Sequence, residues 1–314
     1  MMKEADTLQR STDAVKRLIL FGHVDHGKST LAGHLLYLTG NVDNHEVEKA
    51  SRDAEGLKMS RWKWAYLLDT SPEERVKGKT HEFSVFPFSY LNEQFELIDT
   101  PGHQTFVRET IAALGRYPDA TGVLVVSAIP NEFISGFERG MTKEQCILAR
   151  ALGVQNIIVA VNKMDAVGFS EDVSKNMREV LEPFLKKKLH YKQVRFIPVS
   201  AYDGVNLLDI LVDIPHTPRL KTKGSGPTTL SNVHRLKAQI LRCDNLISAG
   251  YTCVAHIGAD EHLVTVLHLK NKTFVRTGET CEMKLQFPDK IPLELSTRIV
   301  LRASDYTIGF GVTC

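Results

Sequence analysis

Cysteine is scarce and poorly placed for chemistry: there are five in 314 residues (Cys146, Cys243, Cys253, Cys281 and Cys314), an odd number with no CxxC pair. Scattered thiols of this kind build neither a zinc site nor a disulfide framework, and they suit a reducing compartment. Long hydrophobic runs are also missing. No apolar stretch approaches the roughly 18 residues of a membrane-spanning helix. The first residues, MMKEADTLQRSTDAVKR, are polar where a secretory signal needs an apolar core. Residues 1–14 are therefore expected to form a flexible leader, and the protein is expected in the cytoplasm, away from membranes. A surplus of either charge is absent as well, with 39 Lys and Arg against 37 Asp and Glu and a net charge of +2. Bulk charge therefore argues neither for nor against nucleic acid, and any such contact must come from local patches. Neither an internal repeat nor a low-complexity tract occurs.

What is present is ordinary for a globular chain, 43% hydrophobic and 24% charged, at a length that accommodates two domains with separate cores. The character of the sequence changes once. From about residue 15 to 222, short apolar runs alternate with helical stretches. RLILFG, GVLVVSA, NIIVAVN and VRFIPVS read as buried strands, and Phe83–Tyr90 with Phe95–Asp99 as an adjacent pair. Helices are expected over Lys28–Leu38, Gln104–Leu114, Thr142–Leu152 and Glu171–Lys187. Continuous apolar strands separated by helices imply a mostly parallel sheet covered on both faces. The Gly, Ser, Pro and Thr content around KTKGSGPTT marks a linker, placed at residues 223–232. Residues 233–314 then show only short, partly alternating strands such as RLKAQIL, YTCVAHIG and TRIVLRA, the pattern of a small antiparallel β-barrel.

The motifs that carry chemistry lie in the first part. Gly22-His-Val-Asp-His-Gly-Lys-Ser29 matches GxxxxGK[ST] and stands between a strand and a helix, the context that pattern requires. In such a turn, Asp25, His26, Gly27, Lys28, Ser29 and Thr30 point successive backbone N–H groups at a phosphate, aided by the positive end of the helix. Lys28 adds a full charge for the β and γ phosphates, and the Ser29 hydroxyl suits Mg²⁺, which prefers hard oxygen ligands. Asp99-Thr-Pro-Gly102 ends a strand about 70 residues further on, where the aspartate can hold the Mg²⁺ shell and the Gly102 N–H can approach the γ-phosphate. Asn162-Lys163-Met164-Asp165 follows another strand. The Asp165 carboxylate can accept two N–H bonds from the guanine edge, whereas adenine would leave that charge unpaired. Asn162 can tie this loop to the phosphate loop, and the Lys163 stem can cover the base. A backbone N–H of Ser200-Ala201 can reach guanine O6. Together these define an α/β P-loop GTPase domain that binds GTP or GDP with Mg²⁺.

With these residues in view the chain resembles the translational GTPases. GHVDHGKST, DTPGH, NKMD and the serine-alanine loop are similar to those of the elongation factor 1-alpha group. Within it, the segment EKASRDAEGLKMSRWKWAYLLDTSPEERVKGKTHE, the segment NEFISGFERGMTKEQCILARALGV and the barrel stretch LKAQILRCDNLISAGYTCVAHIG resemble the release-factor GTPase and the ribosome-rescue GTPase. The likeness covers the GTPase domain and the final barrel. It implies that Thr80 is the first-switch threonine that joins Ser29 on Mg²⁺, and that His103 is the second-switch histidine that positions the attacking water. It implies that Asp25 lies near the phosphates and that Val24 forms one side of an apolar gate. Lys79 stands where elongation factors carry the other side, an isoleucine; the release-factor branch also carries lysine there. Family members place a middle β-barrel between the two parts found here, and this sequence has only a short linker. The resemblance therefore does not extend to delivery of tRNA, while the ribosome and a release-factor-like protein at the final barrel are implied partners.

Three functions compete on this reading. The first is a GTPase, slow until a large partner accelerates it, in termination, rescue or an elongation-like step of translation. The second is a nucleotide-dependent binding module that docks a protein on its barrel with little hydrolysis. The third, a GTPase attached to sulfate activation, conflicts with the release-factor-like stretches. Two basic segments are set aside. Arg61-Trp-Lys-Trp64 reads as a packed Trp64 with solvated neighbours, and Lys186-Lys-Lys188 as a solvated helix end that complements the helix dipole.

Overall fold

The computed structural model describes residues 14–56, 63–68, 82–218, 228–258, 260–303 and 306–314. Thr80 and Lys79 lie outside these, as does the linker up to residue 227. The first body runs β1 (Ala14–Phe21), α1 (Lys28–Leu38), α2 (Asn44–Gly56), the single-turn α3 (Lys63–Tyr66), β2 (Ser84–Tyr90), β3 (Glu93–Asp99), α4 (Val107–Arg116) and β4 (Thr121–Ser127). It continues with α5 (Pro130–Ile134), α6 (Thr142–Leu152), β5 (Ile157–Asn162), α7 (Glu171–Pro183), β6 (Val194–Pro198) and β7 (His216–Pro218).

These strands form one sheet in the order β2-β3-β1-β4-β5-β6, with β7 on the start of β1. The pairs β3-β1, β1-β4, β4-β5 and β5-β6 are parallel, and β2 and β7 are antiparallel to their partners. All residues of β4 and β5 are buried, which explains their unbroken apolar runs: both faces are covered. Leu31 and Leu35 of α1 pack on Leu18, Leu20 and Val123 on one face. Ile111 and Leu114 of α4 and Leu148 and Leu152 of α6 pack on Ile19, Phe21 and Leu124 on the other. A fully buried leucine in such a layer contributes about 2 kcal/mol. The phosphate and base loops leave the carboxyl ends of β1, β3, β5 and β6, the edge where open parallel sheets bind ligands.

The second body is a closed barrel of β8 (Thr228–Ile240), β10 (Thr252–Ile257), β11 (Asp260–Leu269), β13 (Thr280–Glu294), β14 (Arg298–Arg302) and β15 (Thr307–Thr313), in the order β10-β11-β13-β8-β15-β14. A small ribbon, β9 (Ile247–Ser248) with β12 (Phe274–Val275), lies beside it. Leu236, Val264, Leu285, Phe287 and Ile308 fill the barrel interior. Thr228–Asn232, expected in the linker, belong to β8 instead, where Thr228–Ser231 pair with Ile291–Glu294 beyond a shift in register. Threonine and serine tolerate a pleated, half-exposed strand, so a polar composition there does not exclude β structure.

The two bodies meet along α6. Val300 of β14 is fully buried in the hydrophobic cluster of the first body. Glu144, in the first turn of α6, accepts from Arg302 Nη1 at 2.7 Å and from the Thr307 hydroxyl. At the other end of α6, Arg298 Nη1 donates to the Leu152 carbonyl at 2.5 Å. A cation at the C-terminus of a helix meets its negative end and unsatisfied carbonyls. Gly153, at φ 114°, terminates the helix, and a Cβ there would overlap the Arg298 guanidinium. Further along, Arg108 of α4 pairs with Glu261 of β11 at 2.8 Å.

Candidate nucleotide site

The phosphate loop is fixed by glycines and by borrowed hydrogen bonds. Gly22 has φ 138°, and a Cβ there would overlap the Val125 carbonyl oxygen of β4. Its N–H donates to Gln145 Oε1 at 2.5 Å, and Gln145 Nε2 donates to the Pro101 carbonyl at 3.1 Å. One fully buried side chain of α6 thus ties the phosphate loop to the turn that follows β3. Asp25 is exposed in the left-handed region at φ 61°, and Gly27, at φ 91°, opens α1. Lys28 is buried and donates to the His23 carbonyl at 2.8 Å. Burial pushes its ammonium down to about 8, against the pull of Asp99 and Asp25. A buried cation so poorly compensated is a strong attractor for an anion. His26, buried beside it, is held down at about 4 by desolvation and then by the Lys28 and His23 charges, so it is neutral at pH 7.

The donor set at the mouth of the loop fits Mg²⁺. Ser29 Oγ donates to Asp99 Oδ2 at 2.7 Å, bringing a hydroxyl and a carboxylate together at the start of α1. These are hard oxygens, few in number, as suits a cation that keeps much of its water shell. Thr30 follows in the first turn of α1. Gly102 lies against the phosphate loop: a Cβ there would overlap Lys28 Nζ and crowd the Val24 nitrogen at 2.7 Å. His103, half-buried, caps the turn Gln104–Phe106, its Nδ1 accepting the Thr105 N–H at 3.3 Å.

The base end is assembled around Asn162. Its amide donates to the His26 carbonyl at 2.9 Å and its Oδ1 accepts the Ala201 N–H at 2.8 Å, so one buried side chain clamps the phosphate loop to the serine-alanine loop. Ser200 Oγ donates to Asp165 Oδ1 at 2.8 Å. The backbone N–H groups of the serine-alanine loop, one of which is expected to reach the base, are bonded within the protein, Ser200 to the Val205 carbonyl and Ala201 to Asn162. These two residues therefore orient Asp165 and Asn162. Lys163 takes a left-handed conformation at φ 63° and pairs with Glu132 of α5 at 2.7 Å. The Lys163 ammonium holds the Glu132 carboxyl below the usual carboxylate range against the opposing effect of burial. Beneath the loop, His34 Nδ1 bonds the Ala201 carbonyl at 2.8 Å and stacks at 3.8 Å on Trp64, whose Nε1 donates to the Tyr202 carbonyl at 3.1 Å. Trp64 is packed, as its helical spacing indicates.

All the expected nucleotide residues among those described converge on one edge of the sheet. Sequence reasoning missed Gln145, Glu132 and His34. Gln145 carries a readable signal, since it stands on the apolar stripe of α6 with Leu148, Ala149 and Leu152 at the following helical intervals. A buried polar side chain in such a stripe requires a partner.

The site and fold together define a guanine-nucleotide-binding domain of translation-factor type. Residues 13–235 match the elongation factor Tu GTP binding domain family, and the chain belongs to that family. It is 41% identical over 198 residues to the eukaryotic peptide chain release factor GTP-binding subunit of Schizosaccharomyces pombe, covering 61% of this chain and 30% of that protein. It is 39% identical over 225 residues to elongation factor 1-alpha of Ignicoccus hospitalis, covering 70% of this chain and 49% of that protein. The chain thus spans half or less of the length of these relatives. Among solved structures it is similar in fold to the S. cerevisiae Ski7 GTPase-like domain bound to GTP, with a TM-score of 0.83 at 13% identity, covering 98% of this chain and 99% of that one. No helix among the described residues is long and apolar enough to cross a membrane.

Proposed function

We propose that the chain is a Mg²⁺-dependent GTPase switch that acts in a termination, rescue or elongation-like step of translation. The observation that carries this reading is the Asn162 clamp. It joins the phosphate loop to the base loop in a site already shaped for the ligand, so nucleotide binding costs little reorganisation. In this reading the backbone N–H groups from Asp25 to Thr30 and the Lys28 ammonium bind the β and γ phosphates, and Asp165, held by Ser200, accepts the two N–H groups of the guanine edge. Ser29 and Asp99 hold Mg²⁺, which neutralises phosphate charge when bound; Thr80 joins them by resemblance to the family. The Gly102 N–H reaches the γ-phosphate, and His103 orients the attacking water. The ribosome is the proposed accelerator and a release-factor-like protein the proposed partner of the barrel; location in the cytoplasm follows from that role.

The test is GTP hydrolysis with and without ribosomes for the wild type and His103→Ala. The stimulated rate is expected to fall on the order of 10²–10³-fold in the variant with GTP affinity unchanged. A rate indifferent to both ribosomes and His103 would sink the enzymatic reading. It would favour the alternative, a nucleotide-dependent module that docks a protein with little turnover. That alternative draws support from the commitment of His103 Nδ1 to the Thr105 cap.

A further inference from the structure

A cleft of ≈ 390 Å³ opens between the two bodies at the C-terminal end of α6, and none of its lining residues belongs to a nucleotide motif. Five of its lining side chains are basic: Arg150, Lys188 and His190 from the GTPase domain, and Lys237 and Arg298 from the barrel. No aspartate or glutamate lines it. Among the described residues Arg150, Lys188 and Arg298 have no carboxylate ion pair, and Lys237 stands opposite Glu282 of β13, whose carboxylate is bonded to Lys270, although acidic residues nearly equal basic ones over the whole chain. Arg150 and Arg298 instead donate to the Leu189 and Leu152 carbonyls, which fixes the guanidinium groups without neutralising them. Lys186, at the same helix end, is paired with Glu182, whereas Lys188 faces the cleft uncompensated. The walls also contain the half-buried ring of Phe310 and the amide of Gln239.

From this the geometry points to a binding site for a single-stranded nucleic acid in the cleft between the GTPase domain and the barrel. A phosphodiester strand presents, at each step, an anion, a flat aromatic face and polar base edges. The cleft offers cations, a ring and an amide to match. An acidic peptide would satisfy the cations and leave Phe310 and Gln239 unused. Phosphate contacts of this kind position a strand without reading its sequence, and ring stacking tolerates any base. Because the cations come from both bodies, an occupied cleft bridges them. The site is independent of the GTPase reading, since none of its residues touches the nucleotide loops.

The test is fluorescence anisotropy of the full chain with labelled oligouridylate and oligodeoxythymidylate about ten nucleotides long, competed with polyglutamate. Lys188→Glu and Lys237→Glu are both exposed and should leave the fold and GTP affinity intact. Each is expected to weaken strand binding about tenfold, and the pair to lower the salt dependence by about one unit of slope. A matched exposed reversal on the opposite side of the sheet, Lys49→Glu, should change neither. The tighter of the two oligonucleotides identifies RNA or DNA as the source. Unchanged affinity in both cleft variants, or displacement by polyglutamate at equal charge concentration, would overturn the assignment.

Discussion

Asp165 shows how much a single carboxylate is asked to do. It is held at 2.8 Å by Ser200, and in the proposed base site a carboxylate so pre-aimed would contribute selectivity more than affinity alone. Asp165→Asn should weaken GTP binding by on the order of 10²-fold or more and raise affinity for xanthosine triphosphate, whose edge offers an oxygen where guanine offers an amine. A nucleotide titration decides this, and unchanged GTP affinity would remove Asp165 from the base site. Gly102→Ala tests the phosphate side. Its methyl would meet Lys28 Nζ and the Val24 nitrogen, so GTP affinity should fall more than GDP affinity. Equal losses for both nucleotides would place Gly102 away from the γ-phosphate. At this scale the sequence was highly legible for Lys28, Ser29, Asp99, Asn162 and Asp165, whose spacing is set by phosphate and base chemistry. It was silent on Glu132, an ordinary surface acid until α5 brings it to 2.7 Å from Lys163. It did not show how Ser200 and Ala201 are bonded within the protein, because that depends on their neighbours in space.

α6 is the element on which the two bodies turn. Arg302 is 3% exposed, and Glu144 is its carboxylate partner. Glu144→Ala would leave a buried, unpaired guanidinium, a loss of about 3 kcal/mol. Urea denaturation should show a lowered midpoint for that variant and partial recovery in Glu144→Ala with Arg302→Met. No recovery would mean that the side chains act separately. The helix itself was legible in the sequence. Its role was not, because the residues it meets, Arg298, Arg302 and Thr307, lie more than a hundred positions away. The short β7, which completes the sheet beside β1, was equally hidden: three residues carry no period.

On the scale of the whole molecule, the two-part organisation was visible in the change from alternating to all-strand patterning, while the surface between the parts was not. That surface contains His256, buried and pushed down to about 4 by desolvation and then by the Arg302 and Arg108 charges, with the Glu261 carboxylate 3.6 Å from its Nδ1. The unfolded chain takes up this proton near its ordinary 6.5, and the folded chain refuses it until about 4. Between those values the unfolded state binds more protons, so stability falls with falling pH by about 1 kcal/mol per unit from this group. Denaturation midpoints from pH 7 to 4.5 should therefore drop less steeply in His256→Asn than in the wild type, and identical slopes would show that His256 titrates alike in both states. Finally, Glu144 and Gln145 are consecutive. One grips the barrel and the next grips both the phosphate loop and the Pro101 carbonyl. Were a protein to dock on the barrel, any coupling carried by this helix would be reciprocal: whatever factor GTP added to that protein's affinity, the protein would return to GTP.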